Sequence, residues 1–182
     1  AAGGSVGSVA GQIARIAGGR VVGITGADEK ADWLTDELGF DAAVNYRTAG
    51  DLSAAVAEAC PRGVDLYFEN VGGEVSDAVT DHLTDYSRIA VCGKIALYNQ
   101  EDGDVPRGPR RLHQRTRTRV EGFIVSDHAH RAEHITDRLR RWVSEEEVRY
   151  RETVTEGIES APEAFLGLFE GTNVGKQLVR VA

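Results

Sequence analysis

The chain opens with glycines at positions 4, 7 and 11, in the run Gly3-Gly4-Ser5-Val6-Gly7-Ser8-Val9-Ala10-Gly11. Such spacing lets backbone approach a pyrophosphate, and a helix that follows at once offers free N–H groups and the positive end of its dipole. Gly4, Ser5, Val6 and Gly7 are therefore the candidate diphosphate cradle. A tight turn with close helix packing uses glycines in the same way, so the surroundings decide: here a helix follows, and a strand ends about 20 residues further on. After that strand comes Thr25-Gly26-Ala27, where an NAD-preferring protein places an acid against the ribose hydroxyls. Small residues there leave room for a phosphate. Lys30 lies just beyond, and Tyr46, after the next strand, offers a hydroxyl to the same group, so the pattern favours NADPH over NADH. The alternative is a solvated Lys30 with Asp28 on the ribose.

Residues for acid–base chemistry are sparser. None of Tyr46, Tyr67, Tyr86, Tyr98 and Tyr150 has a lysine four positions later, so the Tyr–Lys pairing of short-chain dehydrogenases is unsupported. Tyr98 follows a buried strand, at the carboxyl end of the sheet where ligands of doubly wound folds bind, and is the candidate catalytic acid. Cys92 ends that strand and reads as packing beside a cofactor, with no histidine near it in sequence to make it a nucleophile. Asp127, His128, His130 and His134 would allow a zinc site, but a solvated polar face accounts for them as well, and no metal is expected. Arg107 to Arg119 holds six arginines without interleaved aromatics, which reads as an exposed salt-bridging segment rather than a nucleic-acid surface.

Alternating strands and helices would position these groups. Val6, Val9, Ile13 and Ile16 keep helical spacing, and Arg20 to Thr25 reads as a buried strand. Helix 28–38, with Ala31, Leu34 and Leu38 inward, stops at Gly39. Strands 42–45, 64–69, 88–92 and 120–125 alternate with helices 51–59 and 74–83, and a polar loop runs over 99–109. A helix with Ala132, Ile135, Leu139 and Trp142 on one stripe comes next. This order predicts an α/β fold, a doubly wound parallel sheet of the Rossmann type. Strand 148–155, helix 158–170 and strand 176–181 exceed what a six-stranded nucleotide domain needs and read as part of a second domain. The expected division is 1–145 for nucleotide binding and 146–182 for that remnant.

The strand that ordinarily precedes such a glycine loop is missing ahead of Ala1, and the chain has no methionine, so the 182 residues are expected to be the C-terminal part of a longer polypeptide. Apolar residues at 41% and charged residues at 27% describe an ordinary globular chain. A net charge of −8 disfavours nucleic acid and anionic membranes. No apolar run is long enough to span a bilayer, and two cysteines, Cys60 and Cys92, fit a reducing, cytoplasmic setting.

With these residues laid out, the chain resembles the zinc-independent medium-chain reductases that saturate enones and enals, the leukotriene B4 dehydrogenase, prostaglandin reductase and alkenal double-bond reductase group. The resemblance runs from Ala2 to the end and is carried by Ala2 to Gln12, Gly26-Ala27-Asp28-Glu29-Lys30, Phe40 to Tyr46, Tyr67-Phe68-Glu69-Asn70-Val71-Gly72-Gly73-Glu74, Glu121 to Val125 and Asn173-Val174-Gly175-Lys176. It implies that Gly4 to Gly7 hold the pyrophosphate and that Lys30 and Tyr46 hold the 2′-phosphate. Asn70, Cys92, Gly93, Tyr98, Phe123, Ile124, Val125 and Asn173 would then line the ribose and nicotinamide. It further implies a homodimer, no catalytic zinc, and a GroES-like β-rich catalytic domain to which the C-terminal remnant belongs. Glu69 departs from the group's usual Asp, and Leu112-His113-Gln114-Arg115 is polar where relatives have an aliphatic helix. The expected activity is NADPH-dependent reduction of the carbon–carbon double bond of small α,β-unsaturated ketones or aldehydes. A zinc-free quinone reductase, a non-catalytic NADPH-binding redox sensor and, more remotely, a methyltransferase are the alternatives.

Overall fold

The computed structural model describes residues 1–99 and 115–181. The expected loop 99–109, all but its first residue, and Leu112-His113-Gln114 of the polar stretch lie outside the described residues. The chain divides into two compact units, Ala1–Thr48 with Arg131–Ala182, and Ala49–His130.

The first unit begins with α1 (Ser5–Ile16), then β1 (Val22–Thr25), α2 (Asp28–Asp32) and β2 (Ala42–Asn45), with β1 and β2 paired in parallel. The expected single helix over 28–38 is broken in character: after α2 it runs on as a π-turn, Trp33–Glu37, closed by Leu38 N donating to Trp33 O at 3.2 Å. Trp33, Leu34 and Leu38 point inward together from this stretch. These three form the unit's core with Val21 and Phe40. Gly39 leaves the turn in the left-handed region, φ +71°.

The tail folds into the same unit. Helix α5 (Ala132–Ser144) leads to β6 (Glu152–Glu156), α6 (Ala161–Glu170) and β7 (Lys176–Arg180), with β6 and β7 paired in parallel. Of the expected α5 stripe only Trp142 is buried, and Phe165 on α6 is exposed. In α1, likewise, the buried side chains are the polar Ser8 and Gln12 rather than the apolar positions. The Gln12 amide explains itself. It donates to Arg149 O at 2.9 Å and accepts from Arg149 N at 2.8 Å, pairing with a tail strand segment as another strand would.

The second unit holds α3 (Leu52–Ala59), β3 (Val64–Glu69), α4 (Gly73–Thr80), β4 (Leu83–Val91) and β5 (Arg119–Gly122), with the three strands parallel in the order β3-β4-β5. Asp51 caps α3 by accepting from Ala54 N at 3.0 Å. Helix 74–83 was expected to reach Leu83, but α4 stops at Thr80 and Leu83 opens β4 opposite Val64. A bulge absorbs the difference, since the next pair in register is Leu66 with Arg88, and Tyr86 within it has φ +60°. Every strand pairing in both units is parallel, as the alternating pattern requires. The strands lie in three separate parallel sheets, β1-β2, β3-β4-β5 and β6-β7.

Candidate functional site

In the first unit the residues around the glycine run gather at the start of α1. Gly4 caps this 12-residue helix without any side-chain hydrogen bond. Ser8 N bonds to Gly4 O, while among the described residues the N–H groups of Ser5, Val6 and Gly7 make no hydrogen bond. Three donors at the positive end of a helix dipole are left for an anion. The glycines divide by cause. A Cβ on Gly7 would lie 2.4 Å from Ala1 O and one on Gly11 would lie 2.1 Å from Phe40 Cζ, so both are demanded by the protein's own packing. A Cβ on Gly4 would meet only Ala1 O, at 3.4 Å, an ordinary contact, and its φ of −89° suits any residue. Among the described residues nothing requires glycine at position 4.

The tail braces this loop. Gly175 N donates to Gly3 O at 2.9 Å, Gly4 and Gly175 form a parallel bridge, and the buried Asn173 fixes the turn by donating to Gly175 O at 2.8 Å. Asn173, expected at the ribose or nicotinamide, thus uses its amide N–H locally, in the same unit as the glycine loop.

Lys30 is buried rather than solvated, 8% exposed, with its stem against Gly3, where a Cβ would come within 2.9 Å of Lys30 Cδ. Its Nζ donates to Gly171 O at 2.7 Å. Burial and, next, the positive charge of Arg47 push its pKa below the ordinary lysine value, against the opposing pull of Glu29. Tyr46 presses its hydroxyl to within 2.8 Å of where a Gly26 Cβ would stand, which is why residue 26 must be small. Asp28, the alternative ribose ligand, is engaged by Asn45 Nδ2 at 2.6 Å. Arg47, which sequence reasoning passed over, joins this group: its guanidinium lies 5.9 Å from the Tyr46 ring centre and donates to Glu170 O at 2.7 Å. Its position directly after Tyr46 was the available signal.

In the second unit Glu69 organises the turn after β3. Its side chain is 2% exposed, and Oε1 accepts from Val71 N at 2.8 Å and Gly72 N at 2.9 Å. Its main-chain carbonyl accepts from Cys92 N and Gly93 N. Gly93 stands where Asn70 Oδ1 and Tyr98 Oη converge, 3.2 and 3.1 Å from the place a Cβ would take. Asn70, Cys92, Gly93 and Tyr98 are therefore brought together, with Tyr98 63% exposed. Phe123 packs on Phe68 at 6.3 Å, whereas Ile124 and Val125 are exposed. Neighbouring Tyr67 has a buried hydroxyl without a hydrogen-bond partner among the described residues, and burial, reinforced by the Glu69 carboxylate, pushes its pKa far up. Asp127 Oδ2 accepts from Ile124 N, and the His128 ring packs on Phe123. Among the described residues no group of three His, Cys, Asp or Glu side chains is placed to hold a metal ion.

Residues 5–141 match the family model described as zinc-binding dehydrogenase. The whole chain is 51% identical to the protein YfmJ of Bacillus subtilis (strain 168) over 183 residues, 54% of that protein. It is 44% identical to the 2-alkenal reductase (NADP(+)-dependent) of Nicotiana tabacum over 182 residues, covering all of this chain and 53% of the relative. Among solved structures, CurA from Vibrio vulnificus in complex with NADPH superposes with a TM-score of 0.92 at 40% identity, over all of this chain and 55% of CurA. The chain spans about half the length of the curated relatives it matches.

Proposed function

This chain belongs to the zinc-binding dehydrogenase family, and from that premise we propose that it falls in the prostaglandin and alkenal reductase group and that the protein is an NADPH-dependent reductase of the carbon–carbon double bond in small α,β-unsaturated ketones or aldehydes. The observation that carries the reading is the first unit's cluster: N–H groups at Ser5, Val6 and Gly7 unpaired among the described residues, a Gly4 that packing does not demand, and Lys30, Tyr46 and Arg47 gathered nearby. A dinucleotide with an additional phosphate has the complementary chemistry. The names of the tobacco relative and of the CurA complex support the same coenzyme.

NADPH, when bound, supplies a hydride for the β-carbon of the conjugated double bond. The protein's own residues bind and orient. The N–H groups of Ser5, Val6 and Gly7 hold the diphosphate, and Lys30 and Tyr46 hold the 2′-phosphate. In the second unit, Asn70, Cys92, Gly93, Phe123, Ile124 and Val125 are the residues this reading assigns to the ribose and nicotinamide; in the first, it assigns Asn173 to the same part of the coenzyme. The Tyr98 hydroxyl, exposed beside Asn70 and Gly93, hydrogen-bonds the substrate oxygen or the ribose and stabilises charge developing on the carbonyl. No zinc takes part in this reading. Residues 1–145 form the nucleotide-binding domain and 146–182 belong with a catalytic domain, and the working assembly is a cytoplasmic homodimer.

The test is made on the full-length protein. NADPH is expected to bind with a fluorescence or thermal-shift response, and its oxidation is expected with enals and enones faster than with quinones. No response to millimolar NADPH overturns the coenzyme assignment. Binding without turnover of any enone overturns the reaction and favours a redox sensor; preference for quinones favours a quinone reductase.

A further inference from the structure

The carboxyl end of α6 receives two cations on consecutive carbonyls: Arg47 Nη2 on Glu170 O and Lys30 Nζ on Gly171 O, each at 2.7 Å. The heads are near enough to repel, because Arg47 outweighs Glu29 in its effect on the Lys30 charge. Two like charges side by side are unfavourable unless anionic groups face them. The partial negative charge at a helix C-terminus, about half an elementary charge, offsets only part of that repulsion. Of the nearby acids, Asp28 is engaged by Asn45, and Glu29 is the weaker influence on Lys30. Donors also remain. An ammonium has three and a guanidinium five, and among the described residues each head makes one hydrogen bond, to its carbonyl.

A pair of cations held in place with most donors free, next to a phenol at Tyr46, complements a dianion. We propose that Arg47 is a second cation for the 2′-phosphate of the coenzyme, and that the carbonyl end of α6, Glu170 and Gly171, is the element that aims it together with Lys30. The proposal rests on the NADPH reading above and adds to it a residue and a positioning segment. The same turn continues through Asn173 to Gly175, which pairs with Gly3 and Gly4. One stretch of tail, 170–175, therefore anchors both the phosphate-reading cations and the diphosphate loop.

The test is calorimetry on the full-length protein with adenosine 2′,5′-bisphosphate and 5′-AMP as probes. Arg47→Gln removes the charge and keeps a polar side chain. Bisphosphate affinity is expected to fall ~10-fold while AMP affinity stays within ~2-fold, the size of one charge-assisted hydrogen bond. Arg47→Lys is expected to recover most of the loss. An equal fall for both probes assigns Arg47 a merely structural part and overturns the proposal, as does an unchanged bisphosphate affinity. The unsubstituted protein separates the two levels of inference. Equal binding of the two probes by it removes the NADPH reading as well, whereas a bisphosphate preference that survives Arg47→Gln but is lost in Lys30→Gln removes only Arg47.

Discussion

Replacing Gly11 with alanine tests whether packing against a neighbouring ring demands glycine at that position. Gly11 lies in α1, beyond the first turn that faces the candidate diphosphate site, and a Cβ there would stand 2.1 Å from Phe40 Cζ and 2.6 Å from Cε2. Ordinary contact begins near 3.4 Å. Phe40 has little freedom to retreat: it is 5% exposed, and its Cδ2 would already be 3.1 Å from a Cβ on Gly23 of β1. Alanine in a helix interior gains about 1 kcal/mol over glycine from propensity alone. Against this, forcing extra volume into a packed core costs typically about 1–3 kcal/mol, and displacing a buried aromatic sits at the upper end. Gly11→Ala is thus expected to be net destabilising by roughly 1–2 kcal/mol. Urea unfolding of the full-length protein measures it, with NADPH affinity of the folded variant close to that of the parent. In a double-mutant cycle, Phe40→Leu removes the offending ring atoms, so the pair should couple favourably by roughly 0.5 kcal/mol or more. A Gly11→Ala variant as stable as the parent, or a cycle with no coupling, refutes the claim that the ring dictates this glycine.

Other substitutions probe the two clusters separately. Lys30→Ala should weaken NADPH far more than NADH, and equal loss measured by fluorescence titration would remove Lys30 from the phosphate site. Because burial and Arg47 lower the Lys30 pKa, its charge is lost at a pH below the ordinary lysine value of 10.5. NADPH affinity should accordingly decline with rising alkalinity sooner than an unperturbed lysine would allow, and NADH affinity should not. The stability sign is opposite: between the lowered folded pKa and 10.5 the unfolded chain binds more protons, so stability rises with pH there, and Lys30→Met abolishes that rise. Tyr98→Phe should lower kcat roughly 10- to 100-fold with NADPH affinity nearly intact, and unchanged turnover would exclude the hydroxyl from the chemistry. Glu69→Ala leaves the N–H groups of Val71 and Gly72 without their acceptor and should cost about 2–4 kcal/mol in urea unfolding, with Glu69→Gln milder because one oxygen still accepts. Loss below about 0.5 kcal/mol in Glu69→Ala would show that the carboxylate does not hold the turn.

The alternation of elements was legible because parallel strands here are short, partly buried runs bounded by glycine or polar turns. Ala42–Asn45 and Val64–Glu69 fall where the residue pattern puts them. What the pattern missed is where local spacing yields to tertiary demand. The π-turn over Trp33–Glu37, which carries Trp33, Leu34 and Leu38 into one core, has no single-residue signature. Leu83 carries helical spacing from Val75 and Val79, yet it pairs with Val64, because the bulge around Tyr86 lengthens β4 at its start. Burial in α1 runs against hydrophobicity for a related reason: the tail backbone at Arg149 offers both an N–H and a carbonyl, and the Gln12 amide accepts from one and donates to the other.

The candidate site shows the same division at higher stakes. Gly4, Lys30 and Tyr46 were readable because each belongs to a short local motif whose chemistry is set by residue type. Arg47 was not, since its significance depends on a carbonyl 123 residues away in sequence. A lysine buried to 8% exposure beside a second cation is an unfavourable arrangement for an empty surface. The fold nevertheless supports it with main-chain carbonyls, which leave the positive charge uncancelled where a carboxylate would have neutralised it. A helix end steadies the cations and leaves their charge available. Gly171 is set by the backbone, since it ends α6 in the left-handed region at φ +70°, and from that turn its carbonyl holds Lys30 while the carbonyl one residue earlier holds Arg47.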